Sequence, residues 1–193
     1  MNLLAHAYLS GGINDVLLGN FIGDAVKGNN SNNYPEKVKQ GIVLHREIDT
    51  FTDNHIAHKQ SRDRFRKEFG LYSGVVVDII YDHFLAANWS NYHSDSLEFF
   101  AKEVYKYIIT NYNILPLKMK VTVPFMIKSN WFVMYKSISG IEKVLKGMSK
   151  RTSLPAKTEY AISILISEKQ ELFYEFEQLF ADLIYHCEKK VYI

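Results

Sequence analysis

Cysteine is nearly absent from this chain of 193 residues, which has only Cys187. With a single thiol no intrachain disulfide can form. The first residues, MNLLAHAYLSGG, also lack the basic segment that opens a secretory signal, and His6 interrupts their apolar run. We therefore expect the protein to work in the cytoplasm.

An excess of charge of one sign is also missing, because 23 lysines and arginines face 21 acidic residues and the net charge is +2. This balance argues against a dedicated nucleic-acid-binding protein. Long apolar runs are missing as well, since GVVVDII, residues 74–80, is far too short to span a bilayer. We expect neither a nucleic acid nor a membrane as a partner.

The sequence does contain enough apolar residues for a core. Hydrophobic residues make up 47% of the chain and aromatic residues 14%, which excludes a disordered protein. At this length we expect one domain, residues 1–193.

Helical patterns dominate the sequence, and β-strand signals are few. In residues 36–51, EKVKQGIVLHREIDTF, apolar side chains recur near helical spacing. Asp95 and Ser139 each precede a glutamate by three residues, the spacing of a helix capping box. A long amphipathic segment begins near Pro155, and residues 27–35, KGNNSNNYP, are typical of an exposed loop. We predict an all-α domain of about seven or eight helices.

The segment GIVLHREIDTFTDNH, residues 41–55, concentrates two histidines and three acids. His45 and Asp49 are four residues apart, so a helix rotates them by only about 40° and leaves them on one face. Such an imidazole–carboxylate pair can bind Mn²⁺, Fe²⁺ or Zn²⁺. The alternative is a solvated helix face, on which Asp49 pairs with Arg46 or Arg62.

Polar groups interrupt apolar stretches in three other segments. They are Asp82 and His83 in VVVDIIYDHFLAANW, His6 in NLLAHAYL, and Asp24 in LLGNFIGDAVKG. Burying a lone carboxylate is costly, so each buried acid needs a cation or hydrogen-bond donors. With His45 and Asp49, these residues form a His/Asp set that suits a metal-activated hydrolytic centre, especially for phosphoesters.

These residues also have ordinary structural interpretations. His6 can be a hydrogen-bonded core residue, Asp53 can cap the next helix, and Asp78 can form a structural pair. Three further histidines are expected on the surface: His55, His58 and His93. From spacing alone, both the metal site and these structural roles stay open.

Four segments of the chain together resemble the acyl carrier protein phosphodiesterase family. They are NLLAHAYLS (2–10), GNFIGDAVKG (19–28), GIVLHREIDTFTD (41–53) and YDHFLAANW (81–89). Weaker similarity continues through residues 131–151. The third segment is the specific one, whereas the carboxyl-terminal third of the chain is generic helix.

The resemblance implies an all-helical fold, distantly like the HD-domain phosphohydrolases, and a metal-dependent reaction. The family cleaves 4′-phosphopantetheine from a serine of holo acyl carrier protein, usually with Mn²⁺, and Mg²⁺, Fe²⁺ and Zn²⁺ are alternatives. It also implies roles for seven residues. Asp24, His45, Asp49 and Asp82 would bind the metal, and His6, His83 and Arg46 would be catalytic.

Further cations are candidates for holding the substrate. Lys150 and Arg151 would bind the phosphate, although Arg151 fits a solvated surface residue equally well. The segment HKQSRDRFRK, residues 58–67, would dock an acidic carrier protein, and its alternative is an ordinary solvated helix side. The docking residues in it are Arg62, Arg64, Arg66 and Lys67.

Two other functions fit the same residues. One keeps the chemistry and changes the substrate to nucleotides or other small phosphoesters. The other is a non-catalytic helical module that binds carrier protein, and its binding would be indifferent to a metal chelator.

Overall fold

The computed structural model describes residues 1–191, with the backbone alone for residues 190 and 191. In this part of the chain all regular structure is helical and no β-strand occurs, which confirms the all-α prediction. The α-helices are α1 (Leu3–Tyr8), α2 (Asp15–Ile22), α3 (Glu36–Asn54), α4 (Ile56–Phe69), α5 (Ser73–Ala87), α6 (Leu97–Thr110), α7 (Leu117–Lys128), α8 (Trp131–Met134), α9 (Ile138–Arg151), α10 (Thr158–Ser167) and α11 (Lys169–Val191). The 3₁₀ helices are Gly23–Ala25, Gly28–Asn33, Gly70–Tyr72, Trp89–Asn91 and Tyr112–Ile114.

The predicted number of seven or eight helices is wrong, because residues 1–191 contain eleven α-helices. Two of them, α1 and α8, have only six and four residues, which is too short for an apolar period to show in the sequence. The segment predicted from near Pro155 is two helices, since the backbone leaves helical geometry at Glu168 between α10 and α11.

The caps of the two helices with a capping-box signal fall within two residues of their predicted positions. The side chain that caps α6 belongs to Ser96, which accepts a hydrogen bond from the Phe99 N–H, and not to Asp95. Helix α9 is likewise capped by Ser137 and not by Ser139. The predicted loop at 27–35 is mostly exposed, and part of it forms a 3₁₀ helix.

Helix α5 lies in the centre of the hydrophobic core. Its apolar side chains are almost fully buried on every side, for example Val77, Ile80 and Phe84. A helix that is apolar all round is expected only where other helices surround it, and α1, α4, α9 and α11 all contact α5. The two acids of this helix, Asp78 and Asp82, are therefore enclosed by the protein and need partners.

Helices α2 and α3 approach each other closely through two glycines. A Cβ atom on Gly19 would overlap the carbonyl group of Val38, and one on Gly41 would overlap the carbonyl oxygen of Val16. No side chain fits between these two backbones. This contact brings the end of α2 and the residues after it against the middle of α3, where His45 lies.

By length and composition, one helical stretch among the described residues could cross a membrane. It covers residues 56–87 and has a mean hydropathy of 1.2 over its most apolar window. The stretch joins α4 to α5, and 67% of that window is buried inside the protein. Its apolar character is therefore explained by the central position of α5.

Candidate metal centre

His6, His45 and Asp49 converge from two helices on one small volume. Each offers one ligand atom, and the three atoms lie within 4.8 Å of one another. Asp49 lies between the two imidazoles, with Oδ1 3.1 Å from His6 Nε2 and Oδ2 3.2 Å from His45 Nε2. The two rings stack with their centroids 4.1 Å apart. The predicted pairing of His45 and Asp49 on one face of α3 is therefore present, and α1 adds His6.

Asp24 approaches the same centre from its solvent side. Its Oδ1 lies 3.2 Å from His45 Nε2, while its side chain is 83% exposed. Asp24 belongs to the 3₁₀ helix Gly23–Ala25, and a Cβ atom on Gly23 would overlap the His45 imidazole. Glycine at position 23 therefore permits the close approach that places Asp24 at the rim of the centre.

Asn20 joins the two imidazoles from behind. Its backbone carbonyl accepts a hydrogen bond from His45 Nδ1, at 2.8 Å. Its side-chain Oδ1 lies 2.7 Å from His6 Nδ1, and its Nδ2 donates to the His6 carbonyl and to Ser10 Oγ. Because these acceptors require a hydrogen on both Nδ1 atoms, each neutral imidazole turns an unprotonated Nε2 towards Asp49.

The atoms that face the centre are therefore nearly all hydrogen-bond acceptors. His6 Nε2 lies 3.2 Å from the carbonyl oxygen of Met1 and 3.1 Å from Asp49 Oδ1. His45 Nε2 is buried and, within residues 1–191, has no hydrogen-bond partner of acceptable geometry. With both imidazoles neutral these acceptors would repel one another, and the Met1 ammonium is 3.8 Å from Asp49 Oδ1. The centre therefore favours a positive charge among them.

The titration behaviour of the three groups reflects the same requirement. Burial by itself lowers the pKa of His45, but the carboxylates of Asp24 and Asp49 outweigh it and raise the pKa to about 9. Burial raises the pKa of Asp49, yet the two imidazoles bring it well below its usual range. For His6 burial dominates and lowers the pKa. A proton on His45 Nε2 can supply the positive charge between His45 and the two carboxylates, and a metal ion bound there would displace it.

The donor set fits a divalent cation of the first transition series. Two imidazole nitrogens and a carboxylate, with a further carboxylate at the rim, are the ligands that Mn²⁺, Fe²⁺ and Zn²⁺ accept. The outer nitrogens of both rings donate hydrogen bonds to oxygens of Asn20, as is usual for histidines that bind metals. Asn20 was not predicted from the sequence. The signal for it was an asparagine within the apolar stretch VLLGNFI, four residues before Asp24.

Asp82 is not brought into this group. It is fully buried, and its two oxygens accept hydrogen bonds from the N–H groups of Leu4 and Ala5, at 2.8 and 3.1 Å. Burial raises its pKa to about 7 in spite of these bonds. Asp82 thus anchors the first turn of α1, the helix that carries His6, and its contacts support a positioning role.

His83 also has a contact outside the centre. Its Nδ1 lies 2.8 Å from the carbonyl oxygen of Tyr135, and burial lowers its pKa. Its neighbour in the predicted doublet, Asp82, points to α1, so the two side chains contact different elements. In a helix successive residues are about 100° apart, which explains this divergence.

The acid predicted to form a structural pair, Asp78, does so. Its Oδ1 lies 3.1 Å from His58 Nε2 and 3.1 Å from the Met1 amino group. His58 is therefore fully buried, and its predicted surface position is wrong. The predicted cap at Asp53 is also wrong: His55 caps α4, and Asp53 lies 3.8 Å from Arg62.

The predicted phosphate-binding cations lie on other elements. Arg46 donates two hydrogen bonds, to the carbonyl groups of Val26 and Gly28, and so fixes the chain that follows Asp24. Lys150 and Arg151 are exposed in the last turn of α9, where the Arg151 guanidinium lies over the Trp131 ring. None of these contacts reaches the imidazoles.

The predicted docking cluster on α4 is partly occupied by ion pairs. Arg64 bonds to Glu168 at 2.6 Å and makes two bonds of 2.8 Å to Glu175, which leaves it little capacity for a partner. Glu175 also accepts a hydrogen bond from Ser61, so Arg64 belongs to a buried network between α4 and α11. Arg62 is half-buried, whereas Arg66 and Lys67 are exposed.

Comparison with known proteins assigns a family model to nearly the whole chain. The model described as acyl carrier protein phosphodiesterase matches residues 1–183. Proteins of that name from Photorhabdus laumondii and Shigella boydii are 35% and 33% identical over 152 residues, which is 78% of this chain and 77% and 79% of theirs. One from Yersinia pestis is 29% identical over 180 residues, or 91% of this chain and 93% of its own. No solved structure matches significantly.

Proposed function

Because the chain belongs to the acyl carrier protein phosphodiesterase family, we propose that it hydrolyses the phosphodiester that joins 4′-phosphopantetheine to a serine of holo acyl carrier protein. Water adds its oxygen to phosphorus, the bond from phosphorus to the serine oxygen breaks, and a proton passes to that oxygen. The products are apo carrier protein and 4′-phosphopantetheine.

The observation that supports this function most strongly is the group of facing acceptors at His6, His45 and Asp49. Three ligand atoms lie within 4.8 Å of one another, and one of them is a buried nitrogen without a hydrogen-bond partner among the described residues. Such a group suits a divalent cation. A cation held there supplies Lewis-acid chemistry, which acidifies water and neutralises charge on the phosphate. We propose Mn²⁺, with Mg²⁺, Fe²⁺ and Zn²⁺ as alternatives.

We assign the roles of the side chains of the centre from their burial and exposure. His6, His45 and the half-buried Asp49 would hold the cation. The exposed carboxylate of Asp24, 3.2 Å from His45, would complete the ligand set from the rim or orient the attacking water. Asn20 would keep both imidazoles in the tautomer that presents Nε2.

The other predicted site residues do not contact the two imidazoles, and we propose indirect or substrate-binding roles for them. Asp82 would act through α1, because both of its oxygens bind N–H groups of that helix. Arg46 would position Asp24 by closing the backbone after it. His83, Lys150 and Arg151 would require contacts with the substrate itself. We also propose that the reaction takes place in the cytoplasm.

Intact-mass spectrometry of holo carrier protein tests the proposal. Incubation with the enzyme and Mn²⁺ should remove the prosthetic group from the carrier, and EDTA should prevent the loss. Hydrolysis of nucleotides with an unchanged carrier mass would favour the small-phosphoester function. Chelator-insensitive binding of the carrier without any loss of mass would favour the non-catalytic module.

A further inference from the structure

Helix α7 exposes a row of large apolar side chains to solvent. Leu117 is 79% exposed, and Val121 and Phe125 are each 62% exposed. Residues spaced by four lie on one helix face, with about 40° of drift per step. We name the row formed by Leu117, Val121 and Phe125 the α7 stripe. Single exposed apolar residues are ordinary on a protein surface, but a contiguous row indicates an interaction site.

The stripe is not the core-facing side of α7. That side is formed by Val123 and Met126, which are fully buried against the hydrophobic core. The helix is therefore already docked on the protein through its opposite face. Folding leaves the apolar side chains of the stripe exposed, so a partner that covers them would gain the free energy of their burial.

The backbone of α7 is held in place beside its proline. Pro124 has no N–H group, so the carbonyl of Lys120 loses its normal helical partner. The phenol of Tyr112 donates to that carbonyl at 2.9 Å, and the Lys120 ammonium donates to the carbonyl of Asn113. Two bonds thus tie the middle of α7 to the preceding 3₁₀ helix and present the stripe in a fixed geometry.

The sequence around the stripe contains lysines and lacks acidic residues. Between Glu103 and Glu142 the chain has five lysines and no acidic residue, although it has 21 acidic residues in all. Lys118 and Lys128 are exposed on α7 itself, near the two ends of the stripe. An apolar row with lysines around it complements a partner that carries acidic and apolar side chains on one face.

A groove extends from the residue after Asp24 to the residue before the α7 stripe. It has a volume of about 560 Å³ and its walls include Ala25, the residue after Asp24, and Pro116, the residue before Leu117. In the proposed reaction the scissile bond is on the carrier's own serine, so the carrier surface must lie against the rim of the centre. Helix α7 starts at Leu117, directly after the groove residue Pro116, so its basic, apolar surface is a candidate for contact with the carrier.

We propose that the α7 stripe, with Lys118 and Lys128, is the surface that docks acyl carrier protein. The inference rests on the proposed function for the identity of the partner. It replaces the docking face predicted on α4, where Arg64 is occupied by Glu168 and Glu175. Apolar contact would supply affinity, and the lysines would steer the acidic carrier and make the association sensitive to salt.

Steady-state kinetics on three proteins test the docking surface. One variant replaces the stripe by Leu117→Ser, Val121→Ser and Phe125→Ser, and a second carries Lys118→Glu and Lys128→Glu. Both should lower kcat/KM for holo carrier protein by about ten-fold or more through a higher KM, in line with the loss of central interface residues. Hydrolysis of the small diester bis(4-nitrophenyl) phosphate should stay near the wild-type rate, because the metal centre is unchanged.

A matched control uses exposed cations of the other candidate surface. The variant Arg66→Glu with Lys67→Glu reverses the same number of charges on α4 and should leave kcat/KM for the carrier near wild type. Unchanged carrier kinetics in both α7 variants, or a loss confined to the α4 variant, would overturn the proposal. If the wild-type enzyme does not hydrolyse holo carrier, the proposed function fails, and titration of apo carrier against the same variants still decides whether α7 is the docking surface.

Discussion

Asn20 is a buried residue that orients both imidazoles of the candidate metal centre. It bonds to His45 with its backbone carbonyl and to His6 with its side-chain oxygen, and its amide nitrogen is held by the His6 carbonyl and Ser10. These contacts select the tautomer of both rings. Outer hydrogen bonds of this kind orient metal-binding histidines. We therefore expect substitution of Asn20 to affect metal binding, as substitution of a proposed ligand would.

The substitution Asn20→Ala should therefore weaken metal binding without removing a ligand. We expect the affinity for Mn²⁺, measured by calorimetric titration, to fall by roughly 10- to 100-fold. The ¹⁵N shifts of the His6 imidazole in the metal-free protein should show mixed tautomers. The control Ser10→Ala keeps the Asn20 oxygen on His6 and should change the affinity much less. Wild-type affinity and tautomer in Asn20→Ala would refute this role.

At the residue scale the sequence predicted the proximity of His45 and Asp49 better than the contacts of the residues around them. The shared helix face of His45 and Asp49 was predictable because their spacing of four residues fixes their relative position within one helix. Asp82 and Arg64 were assigned other roles because their partners, the N–H groups of α1 and the acids Glu168 and Glu175, come from distant parts of the chain. No local pattern contains such pairings.

Helices α2 and α3 are the elements on which the centre depends. Gly19 and Gly41 let their backbones touch, and Gly23 lets the following turn reach His45. A methyl group at any of these positions would meet a backbone carbonyl or the imidazole itself. The packed backbones leave no space for an added methyl group, so the two helices would have to move apart to accommodate it.

The substitution Gly41→Ala should destabilise the protein by about 1–3 kcal/mol or more, because it overpacks the contact with the Val16 carbonyl. Urea unfolding followed by circular dichroism measures the change. Gly74→Ala is the matched control: its new Cβ would meet only the ordinary contacts of Arg62 and His58, at 3.6 Å and beyond. The control should be neutral or slightly stabilising. Equal stability of the two variants would contradict the account of the α2–α3 contact.

At the element scale, long amphipathic helices were predictable and short ones were not. Helix α3 has 19 residues and several apolar repeats, whereas α8 has four residues and no period to recognise. Helix starts were displaced because serines and an aspartate compete for one cap, as Asp95 and Ser96 do before α6. Which of several neighbouring polar residues caps a helix is therefore uncertain by one or two positions from the sequence.

At the scale of the molecule, α5 organises the site without entering it. Its buried length contacts α1, α4, α9 and α11, and its Asp82 fixes the start of the helix that carries His6. The all-α class followed from apolar periodicity, but this arrangement around α5 did not. Tertiary contacts determine which apolar helix lies at the centre of the core, and the composition of each helix alone does not show which one it will be.

The proposed function depends on His6, His45 and Asp49 together binding one divalent cation. Calorimetric titration of the metal-free protein with Mn²⁺ tests it most directly, with Asp49→Asn as the isosteric variant and thermal unfolding as the check on its fold. We expect one ion per chain for the wild type and an affinity reduced by at least about ten-fold in a folded Asp49→Asn protein. Equal affinity in the two proteins, or no binding by the wild type, would contradict the claim.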